Sequence, residues 1–271
     1  MSYSGRAPVA RISCFSRGLL GDNISASAMT ASNPWLARKI QREQIIDVCR
    51  RMYANGWISA TDGNASVRVD DQIITTASGV HKGQMTRDQL VVVDIEGRPV
   101  GGAQSLCSVR WVRGAGKDKT PSDEGKPLRA SSELAMHLAV YANRHDVRAV
   151  LHAHPPCCVA LSLAGVSLEP CPLPEVVLTV GAIPTLPYAT PTTKDLADGV
   201  AAPIRRHNAV ILSHHGTLTV GADLLEAYYL LERIEHVAQI VWRARCLGPV
   251  EPLAEAEIAR LRRIADGKQA T

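Results

Sequence analysis

The chain has 271 residues, 46% apolar, 21% charged and only 4% aromatic, which suits a globular protein with a sizeable core and excludes a disordered, collagenous or coiled-coil chain. Thirty basic and 26 acidic residues leave a net charge of +4. The stretch from Arg98 to Arg129, with seven Lys/Arg against three Asp/Glu, carries that excess by itself. Trp111 is the one aromatic there, so it lacks the stacking groups of a nucleic-acid interface. Seven cysteines, an odd and sparse set, point to reduced thiols and a cytoplasmic protein. The longest uncharged run, 149–168, contains His152, His154, Pro155 and Pro156, which argues against a membrane span.

Residues 1–28 carry Arg6, Arg11 and Arg17 against the single acid Asp22. They read as an upstream mis-start or a floppy extension ahead of Met29, with a transit peptide as the competing reading. One domain is expected over 33–271, and 1–32 is set aside from it. From Asn33, Leu36, Ile40, Ile45, Val48 and Met52 recur at helical intervals until Gly56. The cluster 60–64 is a turn. Two short strands, 66–69 and 72–76, joined by Asp70-Asp71, form a hairpin. Residues 90–94 are a further strand, and about 99–128 a long surface loop, functional or neutral.

A helix is expected from Ser131 to before Asp146, a strand over 149–153, a helix over 157–164, a strand over 209–212 and a long helix over 224–246. Ser213 to Gly216 is expected to end that strand and lead into a Gly-bounded turn. The elements mix, which points to an α/β or α+β arrangement of sheet and helices.

The chemistry concentrates on histidines. His152 and His154 stand two apart in a strand, so both imidazoles project to one face. Such a pair fits one metal ion or two hydrogen-bonded structural histidines. His214-His215 after the 209–212 strand offers a third imidazole, since one of two adjacent residues can point inward. Three imidazoles leave a position open on a divalent ion, the arrangement of a catalytic site. Ser131 and Ser132 at a helix N-terminus suit an anion, and Ser131 suits a plain N-cap equally well.

The order Ala60-Thr61-Asp62-Gly63-Asn64-Ala65-Ser66, Thr76-Ala77-Ser78-Gly79-Val80, Ser131-Ser132-Glu133, His152-Ala153-His154-Pro155, Pro187-Tyr188-Ala189-Thr190 and His214-His215-Gly216-Thr217 resembles the class II aldolase/adducin family of metal-dependent sugar-phosphate aldolases. The resemblance implies a single α/β domain with a mainly antiparallel central sheet flanked by helices. It implies that His152, His154 and His215 hold one divalent ion, Zn²⁺ first, with Mn²⁺ or another as alternatives, and that His214 is not a ligand. It gives Glu133 the acid/base role, and the phosphate loops Thr61, Gly63, Asn64, Ser78, Gly79, Ser131 and Ser132. The implied reaction is retro-aldol cleavage of a ketose phosphate through a metal-stabilised enediolate, in a homotetramer without nucleic-acid or membrane partners. To work beside a cation, the Glu133 carboxyl is expected to be raised by burial or by the substrate's charge.

The sequence departs from that pattern at Leu173, near where fuculose-phosphate aldolases carry a tyrosine, with Glu175 close by as a substitute acid or a structural carboxylate. Epimerases of the family use aspartates absent here. Decarboxylation or dehydration of a sugar acid or keto acid remains the alternative reaction.

Overall fold

The computed structural model describes residues 34–100, 128–265 and Gly267. The N-terminal extension expected over 1–32 lies outside the described residues, as does most of the basic connection, residues 101–127. The chain divides into two compact units, 1–37 and 38–271; of the first, only residues 34–37, the opening of helix α1 (Pro34–Ala54), are described.

The second unit continues α1, whose Ile45, Ile46, Val48, Cys49 and Met52 are buried at the helical spacing read from the sequence. Strands β1 (Asn64–Val69) and β2 (Gln72–Thr76) form the expected hairpin, with Val69 opposite Gln72. Asp70 takes a φ of 54° at its tip, a conformation that aspartate tolerates. There follow β3 (Leu90–Asp94), α2 (Leu134–Asn143), β4 (Ala149–Ala153), α3 (Pro156–Leu163), α4 (Pro174–Thr179), β5 (Thr185–Leu186), α5 (Lys194–Ala201), β6 (Ala209–Leu212), β7 (Gly216–Gly221), α6 (Leu224–Leu247) and α7 (Glu255–Ala265).

The strands make one seven-stranded sheet in the order β3-β2-β1-β4-β7-β6-β5. It is antiparallel except for the short β5–β6 pair, the mainly antiparallel sheet that the resemblance implied. Residues paired across antiparallel strands share a face, and successive residues alternate. Ser66 is paired with Val150 and Val150 with Val220, so these three share one face. There Ser66 Oγ meets His137 Nδ1 at 2.7 Å and the Tyr141 hydroxyl at 2.8 Å, both from α2. Thr219 points the other way, and its hydroxyl donates to the Ala227 carbonyl of α6 at 2.9 Å. Helices therefore cover both faces.

Three sequence expectations are corrected. The residues after Ser213-His214-His215 are not a turn: Gly216–Gly221 is a strand, buried throughout. Its glycine ends and threonines imitate a loop, but Thr217 and Thr219 spend their hydroxyls on the Ala153 and Ala227 carbonyls. Helix α2 starts at Leu134 rather than Ser131, and β1 at Asn64 rather than Ser66. Helices α4, α5 and α7 and strand β5 were not read from the sequence. Helix α4 and strand β5 are too short for a period to register, and α7 buries only Ile258 and Leu261. The five described cysteines are free thiols. Among the described residues no helix is long and apolar enough to cross a membrane.

Arg68 of β1 closes the C-terminal end of α2. Its guanidinium donates to the carbonyls of Tyr141, Arg144, His145 and Val147 at 3.3, 3.3, 2.7 and 2.6 Å, supplying donors to carbonyls that a helix end leaves unpaired. Arg68→Met should lower unfolding stability by about 2 kcal/mol, the scale of hydrogen bonds to a charged group. A urea titration checks this: the midpoint falls while the slope stays constant.

Candidate metal centre

The sheet register builds the centre. Asn64 opens β1 directly opposite His152, the penultimate residue of β4, so both side chains leave the same face beside the start of α2. His152 is completely buried, with Nδ1 2.9 Å from the Thr217 carbonyl oxygen. A carbonyl can only accept, so Nδ1 carries the proton and Nε2 presents its lone pair. His154 follows just past the strand end, anchored by its N–H donating to the Trp57 carbonyl at 2.8 Å. Its Nε2 lies 3.0 Å from His152 Nε2.

His215 completes the cluster from the turn between β6 and β7. Its ring centroid lies 4.7 Å from that of His152 and 5.2 Å from that of His154, and one nitrogen of each ring falls within 4.8 Å of the others. Gly216 makes the approach possible. A Cβ there would stand 2.3 Å from the Ala153 carbonyl oxygen, 2.7 Å from His154 Cδ2 and 3.1 Å from His152 Cε1. His214, at a φ of 59°, points out to solvent; its N–H donates to Ser162 Oγ at 3.1 Å and its ring stands edge-on to Tyr188. Only His215 of the pair faces the cluster.

Glu133 sits at the end of the turn before α2 without capping that helix. Its side chain enters the cluster instead, with Oε2 3.3 Å from His152 Nε2 and Oε1 3.1 Å from His215 Nε2. The Asn64 amide donates to Oε2 at 2.9 Å. Burial pushes the carboxyl up, but the neighbouring His215 and His152 imidazoles and the Asn64 amide outweigh it and hold its pKa below the usual carboxylate range. Burial also holds His152 and His154 below the usual imidazole range, which keeps them neutral as metal ligands must be.

The donor set fits a divalent ion. His215 Nδ1 and Glu133 Oε1 are buried without a hydrogen-bond partner, an uncommon condition for buried polar atoms. Three imidazoles with an adjacent carboxylate are ordinary donors for zinc or a similar metal. Glu133 is within reach as a fourth donor as well as a base.

The expected anion loops lie alongside. Gly63 is buried at a φ of 68°, and a Cβ there would meet Ile58 Cγ2 at 2.5 Å. Thr61, Ser78, Gly79 and Ser132 are exposed and Ser131 half-buried. Segment 76–78 is laced to 129–131 by Ser78 N–H donating to the Arg129 carbonyl at 2.9 Å and Ser131 N–H to that of Thr76 at 3.1 Å. Asn64, expected among these loops, turns its amide to Glu133. Leu173 and Glu175 line a cavity of about 580 Å³ with Trp57, Glu232 and Glu235, and neither Glu133 nor the three histidines border it.

Two residues were not read from the sequence. Glu235 of α6, 1% exposed, accepts the N–H groups of Cys157 and Cys158 at 3.1 and 3.0 Å, clamping the chain just after His154-Pro155-Pro156. Its one signal was an acid in the apolar stripe of Leu231, Ile234 and Ala238. Lys82, 2% exposed, donates to the carbonyls of Thr61, Ala77 and Val80 and gave no signal.

The profile of the class II aldolase and adducin N-terminal domain family matches residues 43–242. The chain is 32% identical over 222 residues to an L-fuculose phosphate aldolase of Escherichia coli, covering 80% of this chain and 89% of that one. It is also 32% identical over 219 residues to the 5-methylthioribulose-1-phosphate/5-deoxyribulose-1-phosphate aldolase of Escherichia coli, covering 80% and 90%. The crystal structure of L-fuculose-1-phosphate aldolase from Thermus thermophilus superposes with a TM-score of 0.62 at 32% identity, over 78% of this chain and 98% of that one. With its profile match running from α1 into α6 and taking in every histidine of the cluster, the chain belongs to the class II aldolase and adducin N-terminal domain family, as an enzyme of the lyase type.

Proposed function

We propose that the protein cleaves a ketose phosphate by retro-aldol chemistry, using one divalent ion, Zn²⁺ by preference, held by His152, His154 and His215. The observation that carries this reading is the convergence of three imidazoles with the Glu133 carboxylate laid against two of them. The named relatives act on phosphorylated ketoses, which supports a substrate of that class.

Bound there, the ion supplies Lewis-acid stabilisation of the negative charge that develops on the substrate oxygens as the carbon–carbon bond breaks. The chain's residues do the rest. Glu133 moves the proton at the carbon whose bond breaks, and Asn64 holds the carboxylate in position. Thr61, Gly63, Ser78, Gly79, Ser131 and Ser132 receive the phosphate beside the start of α2, whose dipole favours an anion. Residues 33–271 act as one domain and, as the family resemblance suggests, assemble as a tetramer. Incubation with a panel of ketose phosphates and 3-oxo acid phosphates tests the reaction. Release of an aldehyde and dihydroxyacetone phosphate supports it, whereas release of carbon dioxide replaces it with decarboxylation.

Metal analysis of two single variants tests the ligand set. His215→Ala should lose the ion and His214→Ala should keep it, and the reverse pattern would refute the assignment.

Glu133→Gln removes the proton site almost isosterically. Turnover should fall at least about a hundredfold, the scale for a positioned acid/base group, with metal content and fold retained. Loss of the ion from this variant would make the carboxylate a ligand, and full activity would move proton transfer to another group.

A further inference from the structure

The fold contains a fully engaged ammonium group in its interior. Lys82 opens a short 3-10 turn, Lys82–Gln84, just after Ser78-Gly79-Val80, and is 2% exposed. Its Nζ donates to the Thr61 carbonyl at 3.0 Å, the Val80 carbonyl at 2.8 Å and the Ala77 carbonyl at 3.3 Å. Its own N–H donates to the Ala60 carbonyl at 3.3 Å. An ammonium has three hydrogens, and all three are spent on main-chain oxygens. Burying such a group is costly unless every hydrogen is satisfied, a condition met here by drawing two separate loops onto one charge.

Those loops are 60–63 and 77–80, which carry Thr61 and Gly63 on one side and Ser78 and Gly79 on the other. Both lead to the centre. Gly63 precedes Asn64, whose amide holds Glu133. Ala77 bridges Ala130, and the Ser78 N–H bonds the Arg129 carbonyl, next to Ser131 and Ser132. Three carbonyl dipoles thus turn their negative ends onto the cation beneath the loops, away from the exposed residues at their tips. Burial draws its pKa below the usual lysine range, while the Cys49 thiol and Asp62 act to raise it.

We propose that Lys82 is a positioning residue for the anion site. Its buried ammonium pins the Thr61, Ala77 and Val80 carbonyls so that loops 60–63 and 77–80 present hydroxyls, amide hydrogens and a positive potential to the phosphate of the substrate. The proposal rests on the phosphate-binding reading of these loops given above. It assigns Lys82 no contact with substrate, because no hydrogen of its ammonium remains for one. A hydrophobic filler such as methionine would occupy the space but leave the carbonyls unpaired and the potential unset.

The test uses the full chain loaded with one zinc per subunit and freed of excess metal, with inorganic phosphate as the probe in calorimetric titrations. Wild-type protein should bind phosphate. Lys82→Gln, which keeps donors but removes the charge, should bind it about tenfold more weakly, the scale of one lost charge-mediated interaction, with zinc content unchanged. Undiminished phosphate binding by folded Lys82→Gln overturns the role of Lys82 alone. Loss of zinc together with phosphate also overturns it, because the residue would then support the whole site. Wild-type protein that fails to bind phosphate removes the phosphate-loop reading itself. Should Lys82→Gln not fold, the wild-type protein decides the matter. The protected ammonium signal of Lys82 in a ¹⁵N spectrum should move during the titration with the same dissociation constant, and an unmoved signal overturns the proposal.

Discussion

The centre depends on how closely one turn can pass another strand's end. Where β7 begins the chain runs beside the His152–His154 segment, and at Gly216 the distance leaves room for a hydrogen atom alone: a methyl carbon would lie 2.3 Å from the Ala153 carbonyl oxygen. That contact sets the height of His215 against the other two rings. It also brings the Thr217 carbonyl to His152 Nδ1, which fixes the tautomer and turns the lone pair of Nε2 inward. The remaining parts of the site are arranged around this close approach. Asn64 is paired with His152 in the sheet, Glu133 is delivered by the turn before α2, and Glu235 of α6 clamps the chain after His154.

Each of these polar groups comes from a different element, and the sheet register is what brings them together. A slip of one residue between β1 and β4 would turn Asn64 and His152 onto opposite faces. Buried charges are individually costly, and the structure compensates Glu235 with two main-chain N–H groups and Lys82 with three carbonyls, as it gives the half-buried Arg68 four. Glu133 is the exception, with Oε1 buried and unpaired by any hydrogen bond. A carboxylate oxygen left without a hydrogen bond beside an imidazole nitrogen marks where the chemistry is expected.

Much of this was legible in the amino-acid sequence because it was local. The β1–β2 hairpin follows from two short β-rich runs around Asp70-Asp71, and His152 and His154 converge as a two-residue period suggests, although His154 lies just past the end of β4. That only one of His214 and His215 could face inward also follows from local geometry. What could not be read depends on contacts between distant segments. Strand β7 was hidden by Gly216, Gly221 and two threonines that read as loop until their hydroxyls are seen bonded in the core. Lys82 and Glu235 look like ordinary surface charges in one dimension, and only the folded chain places them under carbonyls and amides.

The most direct test of the account is the zinc affinity of Gly216→Ala, measured by competition with a chelator and compared with wild-type protein. The backbone at this position needs no left-handed conformation, so a methyl group acts through its bulk. The account predicts that the variant keeps its far-ultraviolet circular dichroism but no longer holds zinc stoichiometrically, because His215 and the His152–His154 segment are forced apart. Stoichiometric zinc binding with unchanged affinity would contradict it, showing that the three imidazoles do not depend on this close approach.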